Sequence, residues 1–118
     1  MSKVLLYNSV IKYIMRCEIF VNDYLPAIRA IIANRLINFG LTQQEIANKL
    51  YLSQGAVALY KKQVRGKKVR ELERKPGVKE KIEELSEKII SRNLKMEELE
   101  VEYCKICKLI LNKNLDIL

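Results

Sequence analysis

Residues 41–60 read LTQQEIANKLYLSQGAVALY, and this stretch decides the fold. Thr42 followed by Glu45 is a capping-box pattern, in which a Thr hydroxyl and a Glu carboxylate three residues apart satisfy each other's backbone N–H groups. The spacing predicts a short helix from Gln43 to about Leu50. Ser53 is a good N-cap for a second helix, from Gln54 to about Arg65, which Gly66 can close. Two short helices joined by a turn meet at a steep angle, so a small residue is needed where they touch. Ala47 sits there, and Ile46, Leu50, Leu52, Val57 and Tyr60 are apolar at the positions that must be buried on either side. The agreement predicts a helix-turn-helix; the alternative is a pair of ordinary core helices.

Upstream, Asp23 is the expected N-cap of a preceding helix, with Pro26 in its first turn, where a missing N–H is harmless. Ile28, Ile31, Ile32, Leu36 and Phe39 form its apolar stripe, and Gly40 ends it. Earlier still, Leu6, Val10 and Ile14 are spaced by four, which predicts an amphipathic helix over residues 1–22 that packs on the core or serves as a dimerisation arm. Downstream, residues 67–74 continue as a basic helix to Lys75, and Pro76-Gly77 is the clear breaker and expected hinge. Val78, Ile82, Leu85 and Ile89 then line one helix. A last helix, from about Lys95 to Asn112, carries Leu99, Ile106, Leu109 and Ile110. The expectation is an all-α helical bundle in three parts: an arm at 1–22, a helix-turn-helix domain at 23–75 and a C-terminal helical hairpin at 76–118.

Composition narrows the function. The chain has 118 residues, the size of one ordinary domain. It has no His, the commonest general base and metal ligand. No catalytic residue and no small-molecule substrate are therefore expected. No apolar run approaches the ~20 residues of a membrane span, and no small-residue cleavage site follows the apolar start. A cytoplasmic protein is the expectation. The net charge is +8, from 22 basic and 14 acidic side chains. Residues 1–70 hold 12 basic and 3 acidic residues, against 10 and 11 in residues 71–118. The surplus is densest from Tyr60 to Arg70, where Lys61, Lys62, Arg65, Lys67, Lys68 and Arg70 occur with no acid among them. Such a stripe repels itself unless an anion meets it.

Residues 41–60 resemble the phage-repressor and Cro type of helix-turn-helix, also called the XRE type. More closely, Cys17 to Lys68 resembles a family of archaeal predicted transcriptional regulators. The match lies in CEI at 17–19, LPAIR at 25–29, LTQQEIA at 41–47, AVALY at 56–60 and RGKK at 65–68. That family commonly ends in a Cys-x-x-Cys helix, which YCKIC at 103–107 fits. One position departs from the motif: residue 51 is Tyr where Gly usually allows a left-handed turn, a conformation disfavoured for a bulky side chain.

The motif implies double-stranded DNA as partner. The helix starting at Gln54 would enter the major groove with its N-terminal residues toward base edges. Gln54 can pair bidentately with adenine, Gly55 lets the backbone approach, and Ala58 and Leu59 offer apolar contact to a thymine methyl. Gln43, Gln44 and Ser53 lie at the helix starts, where backbone N–H groups and amides bind phosphate. Lys61, Lys62, Arg65, Lys67 and Lys68 would neutralise further phosphates. One amide and some methyl-sized surface read few bases, so a homodimer on two half-sites is expected. The rival readings are a helical adaptor whose basic face meets an acidic protein, and a thiol- or metal-dependent sensor.

Cys104 and Cys107 share a helix face, with Lys105 and Lys108 favouring thiolates. They can be buried apolar residues, a redox or disulfide pair, or part of a metal or iron–sulfur site with Cys17 as the remaining thiol.

Overall fold

A computed structural model describes residues 18–111. Helices are its only regular elements among these residues, as an all-α bundle requires. The expected arm at Leu6, Val10 and Ile14, and Cys17, lie outside the described residues.

The chain enters through a π-helical turn, Phe20–Tyr24, which runs directly into α1, Leu25–Phe39. Asp23 therefore does not cap a new helix; it lies inside the π turn, which is itself continuous with helical Glu18 and Ile19. The wider turn has a cause. Pro26 has no N–H to give, and its ring crowds the carbonyl four residues back, so an inserted residue relieves the ladder there. The N–H of Leu25 reaches Phe20 O instead. At the other end Gly40 takes φ 114°, which a side chain would resist, and Leu41 N–H bonds Leu36 O at 3.0 Å.

Two short helices follow, α2 (Gln43–Leu50) and α3 (Gln54–Gln63). Both arms of the Thr42–Glu45 box form, at 3.1 and 2.9 Å. Ser53 Oγ accepts from Ala56 N–H at 3.1 Å. Helix α3 ends two residues before Arg65, and Gly66 does not close it. With φ −68° and ψ 163°, Gly66 opens the next short helix, α4 (Lys67–Glu73). The Pro76–Gly77 break separates α4 from α5 (Val78–Ser91), and α6 (Met96–Leu111) completes the chain.

One apolar core spans both sides of that break. Ile28, Ile32 and Leu36 of α1 form its centre, with Ile46, Val57, Leu72, Ile82, Leu85, Ile89 and Ile106 fully buried around them. Two expected core residues point outward. Phe39 is 67% exposed because it lies in the last turn of α1, past the end of the core, and Leu109 faces solvent between buried Ile106 and Ile110.

Polar links tie α5 to the other helices. Arg35 of α1 pairs with Glu83, and Lys49 Nζ of α2 donates to Ile89 O and Asn93 Oδ1, both at 3.0 Å. Glu102 of α6 is buried with its carboxylate between Lys105 at 2.9 Å and Lys88 at 3.3 Å. Burial raises its proton affinity, but the two lysines outweigh burial and hold the carboxyl below the usual range. Glu45 is also held low, by its bonds with Thr42. Carboxyls depressed in the folded state stabilise it above their unfolded pKa, and that contribution is lost as pH falls through the folded one. Stability is therefore expected to drop on acidification below the ordinary carboxylate range. Glu102→Gln should flatten this fall in urea-midpoint measurements taken against pH.

Candidate nucleic-acid interface

The turn between α2 and α3 sets where the second helix points. Tyr51 adopts φ 57° and ψ 44°, the one non-glycine positive φ among the described residues. An L-residue in this conformation costs roughly 1–2 kcal/mol. Three bonds offset it. The N–H of Tyr51 and that of Leu52 both return to Ala47 O, and the Tyr51 hydroxyl donates to Leu94 O at 2.6 Å. The protein thus keeps the left-handed turn without the usual glycine and anchors it to the loop before α6. Tyr51→Phe keeps the strain and removes the anchor. It should destabilise the fold by about 1 kcal/mol, read as a lower urea midpoint at unchanged slope.

The start of α3 is held from α2, where Gln43 Nε2 donates to Gln54 O at 3.2 Å. That bond uses one amide hydrogen of Gln43 inside the protein and leaves the rest of its amide outward. Gln44, Ser53, Gln54 and Gly55 are all exposed, and the Ser53 hydroxyl is committed as acceptor to the cap. A Cβ at Gly55 would meet nothing nearer than Ser53 Oγ at 3.9 Å, so the fold itself does not demand glycine there. Ala58 is half-buried, while Leu59 is 54% exposed. Val57, just before them, faces the core.

Lys61, Lys62, Arg65 and Lys67 follow on exposed positions, and none has a carboxylate within ion-pair distance among the described residues. Lys68 differs from the other four. Its ammonium meets Glu71 at 3.2 Å and stands 4.8 Å from the centre of the Tyr24 ring. The bond to Glu71 raises its pKa. Lys68 is thus partly committed inside the protein, whereas Lys61, Lys62, Arg65 and Lys67 keep their charge outward.

A cluster that sequence reading missed lies on the inner side of α3. Arg29 of α1 donates from Nη1 to Tyr60 Oη at 3.3 Å and lies 6.0 Å and 5.6 Å from the ring centres of Tyr60 and Tyr103. Burial pulls the Arg29 pKa down, but the Tyr60 hydroxyl and nearby Tyr103 outweigh it, so the guanidinium stays a full cation. Arg29 Nε and Tyr103 Oη are shielded from water with no partner in good hydrogen-bond geometry, and burial raises the Tyr103 pKa while the facing Arg29 guanidinium draws it down. The three residues are far apart in the chain, and no local spacing could have announced them.

The chain matches no family model, no curated protein and no solved structure.

The cysteines diverge in environment although they are one helical turn apart. Cys104 is exposed, whereas Cys107 is buried. No cluster of three or more His, Cys, Asp or Glu side chains is arranged around a metal position among the described residues. No helix among them is long and apolar enough to cross a membrane.

Proposed function

We propose that this protein is a sequence-specific double-stranded DNA-binding regulator of transcription that acts in the cytoplasm as a homodimer. The observation that carries the reading is the continuity of two surfaces. The exposed start of α3 at Gln54 and Gly55 leads along that helix to Lys61 and Lys62, and past its end to Arg65 and Lys67, four outward cations without acidic partners among the described residues. A helix laid with its N-terminus in the major groove brings Gln54 to an adenine edge and Leu59 to a thymine methyl. The cations beyond then meet phosphate, and Gln43 and Gln44 flank the groove at the start of α2. So small a base-reading set discriminates weakly from one copy, which is the argument for two copies on adjacent half-sites.

Fluorescence anisotropy with a labelled duplex tests the reading. Four phosphate contacts give a log–log salt slope of about −3.6, so raising salt from 50 to 200 mM should weaken binding by about a hundredfold per copy. Affinity that does not change with salt would reject it. Gln54→Ala should cost about 1–3 kcal/mol on a selected site and little on random duplex. Equal losses on both would remove Gln54 from the groove.

A further inference from the structure

A cavity of about 630 Å³ opens between the π turn, the end of α2 and α6. Phe20, Leu25, Leu50 and Leu99 give it apolar walls, and its volume falls within the range of small-molecule sites. Arg29 and Tyr103 also line it, and Glu100 and Lys108 are the other charged residues of the wall. Arg29 is a half-buried cation with no carboxylate within ion-pair distance among the described residues. Removing a charge from water is costly unless a counter-charge and hydrogen bonds replace the lost solvation. Here Tyr60 takes only one of the guanidinium's five N–H groups, and Nε has no partner in good hydrogen-bond geometry. Tyr103 is 7% exposed, and the same holds for its hydroxyl. A half-buried cation without a carboxylate partner, set in the wall of a mostly apolar cavity, fits an anion with an apolar body. A planar carboxylate matches the guanidinium fork.

We propose that this cavity binds a small apolar monocarboxylate, with its carboxylate on Arg29 and its body against Phe20, Leu25, Leu50 and Leu99. Tyr51, the strained turn residue, is part of the same wall. Occupancy therefore bears on the angle between α2 and α3. Any effect on DNA affinity rests on the DNA-binding reading, whereas the binding itself does not.

The test uses the full chain without DNA, so its failure is distinct from failure of that reading. Titration calorimetry with decanoate and with 1-decanol compares one apolar tail with and without the charge. The expected result is one decanoate per chain, bound roughly tenfold or more tightly than decanol, and loss of that preference in Arg29→Gln. A second variant keeps the question open to measurement if Arg29→Gln does not fold. Met96 lines the cavity at an exposed position, and the chain contains no Trp, so Met96→Trp places a single fluorophore at the rim. Its emission should shift to the blue on adding decanoate, at concentrations roughly tenfold lower than decanol requires. Absence of saturable decanoate binding, equal affinity for decanol, or a preference that persists in Arg29→Gln would overturn the proposal.

Discussion

Replacing Lys61, Lys62, Arg65 and Lys67 together by alanine is expected to weaken binding to every duplex by roughly three to four orders of magnitude at about 0.1 M salt. The size follows from counterion release, in which each neutralised phosphate contributes about 0.9 to the log–log slope. Four such contacts at tenfold below 1 M salt sum to about 3.6 decades. The structure explains why the loss should fall on binding and spare the fold. All four side chains are exposed and none holds an ion pair or side-chain hydrogen bond among the described residues, so their removal breaks no polar link of the fold. It relieves mutual repulsion, and the thermal midpoint should hold or rise. The measurement is a salt titration of both proteins by anisotropy, with circular dichroism melts alongside. A slope unchanged by the four substitutions would place phosphate contacts elsewhere. Lys68→Ala gives the contrast, because it breaks the contacts to Glu71 and Tyr24, and its effect should appear in the melt as well as in the slope.

Ile46→Ala should be the most damaging single truncation in the helix-turn-helix, at about 3 kcal/mol. Helix α2 has eight residues and only three buried side chains, Ile46, Ala47 and Leu50. A helix this short is held by packing, since its own hydrogen bonds cannot support it in water. Ile46 is fully buried, so truncation loses both its transfer free energy and the cavity it leaves. For a domain of this size the melting temperature should fall by roughly 10 °C. Phe39→Ala is the matched control: the larger side chain is mostly in water and should cost well under 1 kcal/mol. If the two variants melt alike, the apolar core has been wrongly drawn.

The comparison of Ile46 with Phe39 also marks how far the sequence could be read. Caps are local, so Thr42–Glu45, Ser53 and Gly40 were legible from a few residues each, and they fixed most of the helix boundaries around the candidate interface. The π turn was not. Asp23 and Pro26 look like the start of a helix, and only the continuous helical backbone from Glu18 shows that the widened turn before proline has taken that role. Helical periodicity put Phe39 in the apolar stripe, but in the last turn of α1 it stays mostly in water. The sequence showed six cations in one run, and it could not show that Lys68 turns back to Tyr24 and Glu71. The meeting of Arg29, Tyr60 and Tyr103 is a tertiary fact, set by how α1, α3 and α6 cross.

The Tyr51 turn has a consequence for how the molecule opens. Its hydroxyl is bonded to the carbonyl of Leu94, and Lys49 next to it reaches Ile89 and Asn93. Opening the segment from Ile89 to Leu94 would release the partners that hold a strained turn, and α2 would lose its register with α3. These elements should therefore exchange their amide protons as one cooperative unit, despite the Pro76–Gly77 break between them in the chain.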